Sequence, residues 1–64
     1  MEYNHRGNLI IAQLTNAEVS VCQDDYYKGI VHIKQGTNIV AFYDVERIDA
    51  LIKALQEAKK HANQ

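Results

Sequence analysis

Cysteine is almost absent from this chain, and proline and long apolar runs are missing altogether. Because Cys22 is the single cysteine, no disulfide can form within the chain. The longest apolar runs, residues 9–12 and 39–43, are far shorter than the roughly 20 residues that cross a bilayer. The first residues do not resemble a signal peptide either. We therefore expect a cytoplasmic protein with no membrane partner.

Neither sign of charge is in large excess, since seven Lys and Arg against eight Asp and Glu leave a formal net charge of −1. Affinity for a phosphate backbone comes from clustered Lys and Arg, so this balance argues against a strong general nucleic-acid binder. The three histidines, His5, His32 and His61, are far apart and predict no metal site. No catalytic or nucleotide-binding motif is present. We expect no enzyme activity, no cofactor and no bound metal.

The length of 64 residues predicts one domain, residues 1–64. An apolar fraction of 47% is typical of a folded chain. A chain this short buries only about 60% of its unfolded surface, so its stability is expected to be marginal. Without a disulfide or a metal, good packing or self-association must supply the missing stability.

Two segments near the N-terminus have the composition of β-strands. Residues 9–14 are rich in strand formers, and residues 18–23 alternate apolar with polar side chains. A two-residue turn at positions 16–17 would place Leu14 opposite Val19. The same register predicts two further pairs: Ala12 with Val21, and Ile10 with Gln23.

A second hairpin is predicted around Gly36, in the sequence Gln-Gly-Thr-Asn. Gly36 would occupy the first central position of a type II′ turn, where a positive φ is required. This turn places Ile33 opposite Val40 and Val31 opposite Phe42. Four apolar side chains then share one face of the sheet, which supports the predicted register.

A C-terminal helix is predicted over residues 45–61, with Asp44 as its N-cap. Its apolar residues fall three or four apart and form one stripe, here called the helix stripe: Ile48, Leu51, Ile52, Leu55 and Ala58. We expect an α+β fold in which this helix packs on one face of a four-stranded antiparallel sheet made of two hairpins. The sheet would span residues 8–43, and residues 1–7 would form a mobile arm.

The sheet face that the helix leaves uncovered would be unusually apolar for a monomer. Contiguous apolar surface usually marks an interface, which favours a homodimer or contact with a partner protein. Alternatively, the N-terminal arm or the 24–29 loop folds over this face. The predicted interface residues, on this face and in that loop, are Ile11, Tyr26, Tyr27, Ile30, His32, Lys34, Ile39 and Tyr43.

The 24–29 loop has a distinctive composition, with two aspartates followed by two tyrosines and a lysine. Tyrosine is favoured at binding surfaces because it offers a large contact area at low entropy cost. The alternative is a plain connection whose tyrosines cover the edge of the core. Tyr26 and Tyr27, with Tyr43, could also stack on bases, with neighbouring cations to neutralise phosphate. A Cys22–His32 pair lacks an orienting acid, so an inert buried thiol is the simpler interpretation.

Residues 29–60 contain an apolar hairpin about Gln-Gly-Thr-Asn, a short acidic junction and the helical run Ile-Asp-Ala-Leu-Ile-Lys-Ala-Leu-Gln-Glu-Ala. This pattern covers half of the chain and resembles short uncharacterised bacteriophage and prophage proteins. The resemblance implies a small phage or bacterial accessory protein that binds and regulates or inhibits a host protein. It implies no particular functional residue. We therefore expect a non-enzymatic protein–protein interaction module. The alternative is a single-stranded nucleic-acid-binding protein.

Overall fold

The computed structural model describes residues 1–62 and contains four strands and one helix. The strands are β1 (Leu9–Gln13), β2 (Glu18–Val21), β3 (Val31–Gln35) and β4 (Asn38–Phe42), and the helix is α1 (Val45–Ala62). The strands form one antiparallel sheet in the order β1-β2-β3-β4. The α+β fold predicted from two hairpins and a C-terminal helix is confirmed.

The hairpin of β3 and β4 has the predicted register, with Val31 opposite Phe42 and Ile33 opposite Val40. Gly36 has a φ of +60°, and no residue other than glycine has a positive φ in the described part of the chain. Thr37, the second residue of the turn, therefore has a negative φ. A type II′ turn has a positive φ only at its first central position, whereas a type I′ turn has a positive φ at both. The turn at Gly36 is therefore of type II′.

The predicted register of the hairpin of β1 and β2 is wrong. Its strands are joined by a four-residue loop in which the Leu14 N–H donates to the Ala17 carbonyl at 2.7 Å. The pairing consequently starts at Gln13 opposite Glu18, and a β-bulge at Ile11 then shifts it. Because Leu14 belongs to the loop, it cannot pair with Val19 as the sequence suggested. The list of observed pairs is Gln13–Glu18, Ala12–Val19, Ile10–Ser20 and Leu9–Val21.

The registers assign the strand residues to two faces, since side chains alternate along each strand and paired residues share a face. The apolar face carries Leu9, Ala12, Val19, Val21, Val31, Ile33, Val40 and Phe42. The polar face carries Ile10, Gln13, Glu18, Ser20, His32, Lys34, Ile39 and Ala41. One face of the sheet is thus wholly apolar over its central positions, and the other is mixed.

The helix begins where the sequence predicts. The Asp44 Oδ1 atom accepts the Arg47 backbone N–H at 2.7 Å, which is the hydrogen bond of an N-cap residue. α1 approaches the sheet only at β4, and none of its residues is buried, so it covers only part of a sheet face. Two residues separate β4 from α1, and within the helix stripe only Ile48 and Leu51 are half-buried. The molecule is elongated as a result, at 42 × 26 × 21 Å.

Residues 1–7, expected as a mobile arm, fold back on β1 instead. Tyr3 bridges Leu9, and the Ile10 N–H donates to the Glu2 carbonyl at 2.9 Å. The turn is closed by the Asn4 N–H, which donates to the Asn8 carbonyl at 3.0 Å. Because β1 is an edge strand, this segment occupies backbone groups that would otherwise be open to another chain.

Candidate interaction surface

The chain buries very little apolar surface. Cys22 is the only buried apolar residue among residues 1–62. The accessible surface is 5320 Å², whereas a compact folded monomer of this mass exposes about 4,200 Å². The radius of gyration is 13.0 Å, against about 10.7 Å for a compact domain of this length. The single chain therefore exposes a surplus of about 1,100 Å².

Most of the apolar residues that should form a core lie on the apolar face. None of the residues on this face is buried, and Val40 is 53% exposed. In a two-layer domain such a face is covered by the second layer. Here α1 approaches only β4, so the face has the composition of a core while its apolar side chains are only partly buried and Val40 is exposed. Contiguous exposed apolar surface of this kind marks an interaction site.

The helix stripe is the second uncovered apolar surface. Ile48 and Leu51, in the first two turns, are half-buried near β4. Four residues after each of these, Ile52 is 47% exposed and Leu55 is 59% exposed. Most of the stability of an amphipathic helix in a protein comes from packing of its apolar side. The helix stripe is therefore only partly covered by its own sheet.

The polar face is partly closed by the N-terminal segment. Asn8 is buried, and its Nδ2 amide lies 2.8 Å from His32 Nδ1 and 3.4 Å from Ser20 Oγ. The Asn4 amide reaches the same Ser20 hydroxyl and the Glu18 carboxylate, both at 3.5 Å. Of the two coverings considered from the sequence, the N-terminal arm is thus the one present. These hydrogen bonds satisfy polar groups and tie residues 4–8 to the sheet.

The predicted interface residues do not form one surface. His32, Lys34 and Ile39 share the polar face, and Ile11 lies in the bulge of edge strand β1. The remaining predicted residues lie outside the strands: Ile30 before β3, Tyr43 after β4, and Tyr26 and Tyr27 in the loop. The choice of these residues assumed that α1 would cover the apolar face, and it stays a prediction.

The loop between β2 and β3 is held by its own hydrogen bonds. The Cys22 N–H donates to the Ile30 carbonyl at 2.9 Å, and the Asp24 carboxylate accepts the Tyr26 N–H at 2.8 Å. Tyr26 is 92% and Tyr27 60% exposed, with ring centroids 6.4 Å apart. Neither ring covers an edge of the core, which was the alternative interpretation of this loop. The loop instead presents two aromatic side chains to solvent.

Residues 1–62 offer few other candidate binding sites. No three His, Cys, Asp or Glu side chains in that range are grouped so as to hold a metal ion. An open depression beside the β1–β2 loop has Gln13, Glu18 and Lys34 in its lining. The described helix is not long and apolar enough to span a membrane. The apolar face and the helix stripe therefore remain the most distinctive surfaces of the chain.

No match to this chain was found among protein-family models, curated proteins or solved structures. The resemblance of residues 29–60 to phage proteins stays a prediction. Function must therefore be inferred from the surfaces of the chain itself.

Proposed function

We propose that this chain is a non-enzymatic protein–protein interaction module that associates through its apolar face. The observation that carries the proposal is a sheet face that is wholly apolar over its central positions and has no buried side chain. The polar face is a weaker candidate, because Asn4 and Asn8 already occupy part of it. Covering the apolar face removes apolar area from water, which stabilises the assembly by roughly 25 cal/mol for each Å² that is buried.

The first partner that we propose is a second copy of the chain. A surplus of about 1,100 Å² per chain gives about 2,200 Å² in a dimer, which falls in the range of obligate homodimer interfaces. Crystal-packing contacts and weak encounters bury far less. Most small assemblies of one chain are twofold symmetric, so a symmetric dimer is the expected form. Self-association also supplies the stability that a chain of this length lacks.

A foreign protein, including the host protein that the phage resemblance implies, would meet the loop of Tyr26 and Tyr27. Both rings are exposed in the single chain, and the loop hydrogen bonds already restrict them. A pre-ordered loop loses less entropy on binding. A protein captured from bacterial lysate by the wild type and lost with the double variant Tyr26→Ala and Tyr27→Ala would support this part of the proposal.

Single-stranded nucleic acid is the alternative ligand, and the charges favour it less. Lys34 lies directly opposite Glu18 on the polar face, and Arg47 pairs with Asp44 at 3.6 Å. Asp24 and Asp25 adjoin the two exposed tyrosines. Cations that could neutralise phosphate are thus balanced by nearby acids. A gel shift with single-stranded DNA that weakens steeply with salt would favour the alternative.

Sedimentation equilibrium from about 1 to 200 µM tests self-association, since that range brackets micromolar affinity. We expect the wild type to have twice the chain mass of 7.3 kDa. Val40→Glu adds a charge to the apolar face and should yield the single-chain mass. Ile39→Glu is the matched control, because it adds the same charge to the other face of the same strand. A wild-type mass of 7.3 kDa throughout would refute self-association.

A further inference from the structure

We infer that the apolar face of one copy is covered by the helix stripe of a second copy, and the reverse, in a reciprocal exchange of helices. This inference rests on the proposed self-association and specifies its geometry. It is motivated by the presence of two uncovered apolar surfaces, the apolar face and the helix stripe, in the same chain.

The two surfaces match in size. At 1.5 Å per residue, the helix stripe from Ile48 to Ala58 is about 15 Å long. Four strands spaced about 4.8 Å apart place the outer strands β1 and β4 about 14 Å from each other. One helix laid across the sheet could therefore contact every strand. The central positions of the apolar face carry no charge that would oppose an apolar stripe.

A helix packing on its own sheet does not account for the observed exposure. Only Ile48 and Leu51 are half-buried near β4, whereas Ile52 and Leu55 are largely exposed. The two residues between β4 and α1, Tyr43 and Asp44, are the hinge from which the helix leaves its own sheet. The exchange reproduces, between two chains, the sheet-and-helix contact that a two-layer domain forms within one chain. That relation between monomer and dimer contacts is what defines domain swapping.

Other dimers leave one of the surfaces exposed. Packing of two apolar faces against each other would bury the sheets and leave both helix stripes in water. Pairing of two helices would do the opposite and leave both sheets open. The exchange buries both surfaces with a single kind of contact used twice, as a twofold axis requires.

Complementation between two damaged chains tests the exchange. Val40→Glu damages only the face, and Leu55→Glu damages only the helix stripe. Both residues are more than half exposed in the single chain, so a charge there disturbs little of it. Each variant alone loses both helix–face contacts, because one buried charge is enough to open a contact. In a mixed dimer, the intact helix of the Val40→Glu copy meets the intact face of the Leu55→Glu copy.

Co-expression with a tag on one variant measures the rescue. We expect the mixed dimer to form with an affinity at least about tenfold higher than either variant with itself, equivalent to 1.4 kcal/mol. The matched controls are Ile39→Glu, on the other face of β4, and Gln56→Glu, next to Leu55 in the helix. Both should remain dimeric without mixing.

Isotope-filtered NOE spectra of mixed labelled and unlabelled wild type provide a second measurement that involves no damaging substitution. The exchange predicts NOEs between copies, from methyl groups of Ile52 and Leu55 to those of Val40 and Ile33. A dimer that shows only sheet-to-sheet NOEs, or that Leu55→Glu leaves intact, would overturn the exchange and retain the proposed function. A monomeric wild type would overturn both.

Discussion

Replacement of Gly36 by alanine should destabilise the protein through backbone strain alone. Gly36 has a φ of +60°, and a Cβ built on it meets no atom within 4 Å, so no clash contributes. A non-glycine residue held in such a region costs about 1–3 kcal/mol. For a domain of this size, each kcal/mol lowers the melting temperature by about 4–8 °C. Gly36→Val should cost at least as much, because a β-branched side chain tolerates a positive φ poorly.

Chirality supplies the matched control, since a chain of 64 residues is accessible to chemical synthesis. D-alanine prefers a positive φ, so placing it at Gly36 should stabilise the fold by about 0.4–1 kcal/mol through the unfolded state. Thermal melts of the L-Ala, D-Ala and wild-type chains at one concentration make the comparison. Equal melting temperatures for the L and D forms would refute the type II′ turn and the register that depends on it.

Three further predictions concern the polar cluster, the helix cap and association. Asn8→Ala should cost about 1–3 kcal/mol in urea unfolding, because it leaves the buried hydroxyl of Ser20 and the ring of His32 short of a partner; an unchanged midpoint would contradict this. Asp44→Ala should cost about 0.5–2 kcal/mol by removing the N-cap bond to Arg47, and Asp44→Asn, which retains a capping oxygen, should cost less. Tenfold dilution of the wild type should lower its melting temperature, because only the assembled state is stabilised by association; a melting temperature independent of concentration would exclude coupling of folding to assembly.

The two hairpins differ in how far their sequences determine them. Gly36 supplies a strong turn signal, and the apolar residues on both sides agree with only one register, so the pairing of Val31 with Phe42 was predictable. No comparable signal marks the first turn. Leu14 is apolar yet lies exposed in the loop, and nothing in the run of strand formers identifies Ile11 as the bulged residue. The longer loop shifts the partner of Ala12 from Val21 to Val19, and the bulge adds a one-residue shift that moves Ile10 to the polar face, so the predicted pairs of β1 and β2 failed.

The presence of uncovered apolar surface was predictable from the sequence, and its position was not. Periodicity shows that the helix stripe and the residues around Val31 and Val40 must be buried against something apolar. It does not show whether the covering element belongs to the same chain, because hydrophobic burial is non-directional and is satisfied equally within or between chains. The position of α1 relative to the sheet depends on the backbone geometry after β4, which composition does not encode.

We expect folding and association to be coupled in this chain, because a single copy holds almost no apolar interior. Cys22 is the one buried apolar residue among those described, while Ser20 and Asn8 are buried polar residues whose hydrogen bonds contribute little net free energy. The hairpins can order locally, but two strands in isolation are marginal in water, and four strands need a covered apolar face. The covering layer is therefore part of the fold rather than an addition to it. If a second copy supplies that layer, the folded fraction depends on protein concentration.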